Sequence, residues 1–160
     1  MSKNILKIDL LKSIRLQLKN EGKKVVFTNG CYDVLHAGHV DYLNKSKSFG
    51  DVLIVGVNSD KSVKRIKGDK RPIIPDEERA FIIANLASVD YVVLFDEDTP
   101  EMLIKELIPD VLIKGADWSK ENIVGGDFVE SNGGSIESVA FVSNQSTSKI
   151  IEIILQRYKV

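Results

Sequence analysis

The sequence predicts an α/β fold: a doubly wound sandwich in which a five-stranded parallel sheet carries helices on both faces. Three observations lead there. Short apolar runs alternate with segments of helical periodicity along the chain, the rhythm of strand, crossover helix and next strand. The first run, Lys24-Val25-Val26-Phe27-Thr28, reads as a buried strand. Breakers and caps punctuate the series, at Asn29-Gly30, Pro75, Thr99-Pro100, Pro109 and Ser146-Thr147-Ser148.

The elements follow in order. Residues 5 to 20 carry Ile5, Ile8, Leu11 and Leu18 at three-to-four spacing and predict an amphipathic helix whose task is packing. After the first strand, Asn29-Gly30 breaks the run, and a helix is expected from His39 to Ser48. Asp51 to Val57 is the second strand, the basic stretch after it a loop, and Asp76 to Ala87 a helix that follows Pro75 with acidic residues in its first turn. Tyr91 to Phe95 is the third strand. Thr99 then caps a helix with Pro100 at its first position, and Pro109 stops it after Leu107. Val111 to Ile113 is the fourth strand, a glycine-containing region follows, Ser135 to Val142 is the fifth, and Ser146-Thr147-Ser148 caps a last helix reaching Tyr158.

The 160 residues suit one domain, with residues 1–21 as a helical extension and 22–160 as the core. Hydrophobic residues at 43% and charged ones at 28% exclude a disordered chain, and no apolar run approaches the length of a membrane span. The mixed N-terminus, with Lys, Asp and Arg among its leucines, lacks a secretory apolar stretch, so the expected compartment is the cytoplasm. The single cysteine forms no intrachain disulfide, which fits that compartment. A net charge of −1 argues against nucleic acid or an anionic membrane as partner. The charge is unevenly spread: residues 61 to 71 carry a net +5, and the rest of the chain −6. Such a concentration suits a small polyanion; a solvated surface is the alternative.

Both histidines of the chain fall in one tetrapeptide, His36-Ala37-Gly38-His39, directly after the first strand. At this spacing on an opening helical turn the imidazoles project to one face, beside backbone N–H groups with no partner inside the helix. That is a place for phosphate oxygens. Gly38 lets backbone approach a phosphate closely. A solvated helix start is the alternative, as is a zinc site with Cys31, although three ligands fall short of the usual four. Cys31 itself reads as a small packed residue rather than a nucleophile. In a doubly wound sheet, ligands bind at the carboxyl ends of the strands. The histidines, the basic stretch, Lys114-Gly115 and Ser146-Thr147-Ser148 all lie on that edge. No G-x-G pair and no GxxxxGK[ST] occurs, so neither the dinucleotide fingerprint nor a P-loop is present.

Such donors suit attack on the α-phosphorus of a nucleoside triphosphate by a second substrate's phosphate. That nucleophile is largely ionised at neutral pH, with a second pKa of about 6. The charge developing on the α-phosphoryl oxygens and on departing pyrophosphate is then what fixed donors must stabilise.

The residues that carry this reading resemble the HxGH nucleotidyltransferase superfamily. They are similar in particular to the adenylyltransferase domain of bacterial ADP-heptose synthesis enzymes. The resemblance runs in order through residues 27–39, Val55-Gly56-Val57-Asn58-Ser59-Asp60, Lys67-Gly68 with Arg71-Pro72-Ile73, Arg79, Val89 to Val93, Phe95 to Pro100, Leu112 to Trp118, and Ser146-Thr147. It implies a Rossmann-like sandwich, and it implies roles. His36 and His39 would contact the triphosphate and stabilise the transition state, with Lys64 or Lys67 binding phosphates. Thr28, Asn29, Gly30, Cys31, Tyr32 and Gly38 would form the nucleotide-side wall, Lys114, Gly115 and Asp117 would lie near base and ribose, and Ser146, Thr147 and Ser148 would present a helix N-terminus. Asp33 would face the sugar-phosphate pocket or orient its loop, and Asn58, Arg71, Arg79 and Trp118 would serve the second substrate.

The implied reaction joins ATP to D-glycero-β-D-manno-heptose 1-phosphate, giving ADP-heptose and pyrophosphate for lipopolysaccharide or a related glycan. Mg2+ would be carried by the nucleotide phosphates, with no metal held by the protein itself. A homodimer is implied, as is a separate sugar kinase upstream, because the sequence shows no fused kinase. Related cytidylyltransferases carry an Arg-Thr pair where Phe141-Val142 stands here, which counts against cytidylyl transfer to glycerol phosphate or choline phosphate. Ala87-Ser88 likewise replaces a more usual arginine-containing sequence. Two alternatives stay open: a sibling enzyme using CTP, GTP or another sugar or glycerol phosphate, and a non-catalytic ATP-binding module.

Overall fold

Five strands form one all-parallel sheet in the computed structural model, which describes residues 4–115, 123–140 and 146–158. In chain order the elements are α1 (Ile8–Asn20), β1 (Val25–Gly30), α2 (Ala37–Lys47), β2 (Val52–Asn58), α3 (Asp60–Lys67), α4 (Asp76–Ala84), β3 (Tyr91–Phe95), α5 (Glu101–Leu107), β4 (Val111–Gly115), α6 (Gly126–Ser131), β5 (Ser135–Val139) and α7 (Thr147–Arg157). The strand order is β3-β2-β1-β4-β5. The chain thus winds outward from β1 in one direction and then returns to its other side, and the reversal between β1 and β4 opens a crevice at the carboxyl ends.

Side chains alternate across each strand and build two cores. Val26, Leu53, Val55, Val57, Val111 and Ile113 pack with Tyr42 and Leu43 of α2 and with Ala80 and Ile83 of α4. Val25, Phe27, Val52, Ile54 and Leu112 pack on the opposite face with Leu11 of α1, Leu103, Ile104 and Leu107 of α5, and Val129 of α6. The expected sheet with helices on both faces is therefore present. At the β3 edge the open backbone is partly taken up by the chain's own start: Leu6 N–H donates to the Val92 carbonyl and Val92 N–H to the Asn4 carbonyl, each at 2.9 Å.

Several expected boundaries move. The stretch expected as a basic loop is largely the helix α3, because Ser59 Oγ caps it by accepting from Ser62 N–H at 3.1 Å and Val63 is fully buried beneath it. The glycine-containing region holds the short helix α6, entered through Gly125 at φ 80°, where any side chain is disfavoured. Asn29 and Gly30 stay in β1, paired with Gly56 and Val57. The first helix begins at Ile8, because residues 4–6 extend along β3. The second opens at Ala37 with His36 as N-cap, and the fourth ends at Ala84. The cap of α5 is Pro100 rather than Thr99. The fifth strand is described to Val139; residues 141–142, including the Phe141-Val142 departure, lie outside the described residues.

Candidate active site

The loop between β1 and α2 is wound tightly. Tyr32 at φ 48° and Val34 at φ 51° occupy the left-handed region, which for a β-branched valine is costly. Asp33 between them holds the turn in place. Its carboxylate accepts from Arg71 Nε at 2.5 Å, from Ile73 N–H at 2.9 Å and from Ile74 N–H at 3.0 Å, while its carbonyl accepts from Thr147 Oγ1 at 2.5 Å. Burial alone would raise this carboxyl, but the two amides and Arg71 outweigh it and hold the pKa below the ordinary value. One residue thus ties the histidine loop, the segment after α3 and the start of α7 together.

Out of this turn come the two histidines. His36 caps α2 with its backbone only, so its ring is not spent on the helix. The imidazoles of His36 and His39 stack with centroids 4.0 Å apart at 28°, and the Tyr32 ring stands edge-on to His39 at 5.5 Å. The Nδ1 atoms of both histidines are buried without a hydrogen-bond partner. Burial lowers the His36 pKa; for His39 burial, reinforced by the nearby His36, pulls it to about 4. Both rings are therefore neutral at pH 7, each with one N–H to donate.

The histidines look into a crevice of 670 Å³. Of the residues expected there, Asn29, Gly30, Cys31, Tyr32, Asp33, His36 and His39 line one wall, and Asn58, Lys67 and Arg71 continue it on the β2 side. Lys114, Gly115, Ser146, Thr147 and Ser148 face them from the β4 side. Lys114 Nζ donates to Asn29 Oδ1 at 2.5 Å, and burial lowers the ammonium's pKa to about 8. Ser146 Oγ accepts from Lys149 N–H at 3.2 Å and caps α7, whose first turn opens on the same space. Burial raises the Cys31 thiol even though Lys67, Arg79 and Arg71 oppose it, so the sulfur is a packed thiol rather than an ionised nucleophile.

Four expected site residues stand elsewhere. Thr28 is fully buried behind the wall, its hydroxyl 2.7 Å from Tyr42 Oη. Gly38 is buried in the first turn of α2 and does not line the crevice. Lys64, one turn before Lys67, does not reach it either, which leaves Lys67 as the lysine of that helix at the site. Arg79 does not line the crevice: its guanidinium is enclosed, donating from Nε to the Ile74 carbonyl at 2.8 Å, from Nη1 to the Cys31 carbonyl, and from Nη2 to the Asn58 carbonyl at 2.8 Å and Asp60 Oδ1 at 2.9 Å. It stitches the ends of β1 and β2 together from below. Asp117 and Trp118 lie outside the described residues. Tyr42, Ile66, Asp98, Thr99, Pro100, Ile123 and Val124 also line the crevice, beyond the residues expected from the sequence. The rule that ligands meet the carboxyl ends of strands, applied to the third strand as to the others, points to Asp98 and Thr99.

The class that this fold and crevice define is that of the α/β nucleotidyltransferases. The chain belongs to the cytidylyltransferase-like family, which matches residues 27–153. It is 56% identical over 151 residues to the bifunctional protein HldE of Geobacter sulfurreducens, covering 94% of this chain and 31% of that protein. It is 59% identical over 140 residues to the protein of the same name from Geobacter metallireducens, covering 88% and 29%. The chain thus spans less than a third of the length of these curated relatives. Among solved structures it resembles a lipopolysaccharide core biosynthesis protein from Thermoplasma volcanium, with a TM-score of 0.64 and 29% identity over 78% of this chain and all of that one.

Proposed function

We propose that this domain transfers an adenylyl group from ATP to D-glycero-β-D-manno-heptose 1-phosphate, releasing pyrophosphate and ADP-heptose for lipopolysaccharide or a related glycan. The observation that carries this reading is the stacked, neutral histidine pair between two cation-bearing walls of one crevice. The sequence likeness to ADP-heptose synthesis enzymes and the names of the relatives support the choice of sugar. An oxygen of the acceptor phosphate forms a bond to the α-phosphorus of ATP. The bond from that phosphorus to the bridging oxygen breaks, and its electron pair leaves with pyrophosphate. His36 and His39 donate N–H bonds to the phosphoryl oxygens as charge grows on them; Lys67 and the first turn of α7 stabilise the leaving group. Lys114 and Asn29 hold the nucleotide side. Arg71, fixed by Asp33, turns its remaining N–H groups toward the acceptor phosphate.

Asp33, the carboxylate of the histidine loop, is taken up by Arg71 and two backbone amides, and in this reading the divalent cation travels on the triphosphate as MgATP. We further propose a homodimer in the cytoplasm, with residues 1–160 acting as one catalytic unit on the product of a sugar kinase. No helix among the described residues is long and apolar enough to cross a membrane. The test is pyrophosphate release with ATP, CTP and GTP, each paired with heptose 1-phosphate and with glycerol 3-phosphate. Release confined to ATP with heptose 1-phosphate is expected. Preference for another pair identifies a sibling transferase, and release with none favours a binding module.

A further inference from the structure

At the β3 end of the crevice is a wall built differently from the rest. Asp98 and Thr99 line it where β3 gives way to α5. In the sheet β3 and β2 lie on one side of β1, and β4, with Lys114, on the other. The wall is braced twice. Asn58 Nδ2 donates to Ser62 Oγ at 3.0 Å, and Ser62 Oγ donates to the Glu97 carbonyl at 2.9 Å, so a fully buried hydroxyl links the end of β2 to the turn before Asp98. Arg65 Nε donates to Asp98 Oδ1 at 2.5 Å and its Nη2 to the Asp96 carbonyl.

These bonds leave capacity on the crevice side. A carboxylate offers about four lone-pair sites, of which Arg65 takes one. Asn58, held through Nδ2, keeps its amide oxygen, and the Thr99 hydroxyl both donates and accepts. Acceptors and a hydroxyl without added positive charge match neutral hydroxyl groups, not a phosphate. The cations that do match a phosphate, Lys67 and Arg71, line the same side of the crevice. Ile66 supplies apolar surface for the C–H face of a sugar ring.

We infer that Asn58, Asp98 and Thr99 read the hydroxyl groups of the acceptor's sugar, with Ser62 and Arg65 as positioning residues that hold this wall in register. The inference rests on the sugar-phosphate reading above and adds to it the residues that select the sugar. Thr99→Val and Asp98→Asn each remove one hydrogen-bonding function from an exposed position and leave the fold intact. Each raises the KM for heptose 1-phosphate about tenfold, the scale of one bond to a ligand, while kcat and the KM for ATP stay within about twofold. Ser62→Ala moves the sugar KM in the same direction with the ATP KM unchanged, a split that general loosening of the fold does not produce. If Ser62→Ala fails to fold, the two exposed variants decide.

Steady-state kinetics with both substrates, with calorimetric binding of heptose 1-phosphate to each variant, form the experiment. Wild-type turnover with unchanged sugar KM in Thr99→Val and Asp98→Asn overturns this wall alone, as does an equal rise in the ATP KM. Wild-type protein that neither binds nor converts heptose 1-phosphate overturns the reaction and the wall together.

Discussion

In the proposed reaction His39 acts as a neutral donor, because its surroundings keep it uncharged until a polyanion arrives. Removing either stacked imidazole takes away one fixed donor to the phosphoryl oxygens, so His36→Ala and His39→Ala each lower turnover about 10²–10³-fold, with melting nearly unchanged. Near-wild-type turnover in either variant would remove that residue from the reaction. The depressed pKa also has a consequence for stability. Folded His39 titrates near 4, whereas the unfolded side chain has the ordinary value of 6.5. Between those values the unfolded state binds more protons, and folding stability falls as pH drops from 6.5 toward 4. Thermal melting followed across that window shows the decline in wild-type protein and a shallower one in His39→Gln; equal slopes would show that the ring is not desolvated. The paired histidines and their common face were legible in the sequence, because spacing on a helix dictates them. Arg79 was not legible as a brace. Its partners are chiefly backbone carbonyls at positions 31, 58 and 74, and a carbonyl looks alike in every residue.

Among the elements, the strands were read best, since an apolar run buried on both faces leaves little else it can be. Helix α3 escaped because Val63 and Ile66 are its only apolar residues and no helical period emerges from eight positions. Its charge was visible and its form was not. Helix α6 escaped because six residues between glycine pairs resemble a loop until Val129 is seen packed against the sheet. The ends of β1 and β2 depend on Arg79 in the way a helix depends on its cap. Arg79→Ala leaves Asp60 and three carbonyls short of a donor and costs about 3–5 kcal/mol. Denaturant unfolding measures it; a loss below about 1 kcal/mol would place that guanidinium in the solvent.

Over the whole molecule, the sheet order makes β1 the central strand, so the loop that leaves it meets elements arriving from both sides. Positive charge from α3 and the segment after it reaches the crevice through Lys67 and Arg71, and from the opposite side through Lys114. This convergence was foreseeable from topology, whereas the contribution of the third strand's end was missed because the same rule was applied to the first, second, fourth and fifth strands and not to the third. The N-terminal segment is part of the fold through Leu11 in the core, the bridge of Ile5 to Val92, and Arg15, which donates from Nη2 to the Ile108 carbonyl at 2.8 Å and to Asp110 Oδ1 at 2.9 Å.

The chain contains two histidines and no others, which makes their imidazole nitrogen resonances a direct report on the crevice. In a titration of 15N-histidine-labelled protein with MgATP, both rings should shift together and their pKa values should rise as the triphosphate is bound. Saturable ATP binding that leaves both resonances and both pKa values unmoved would place the nucleotide elsewhere and contradict the site.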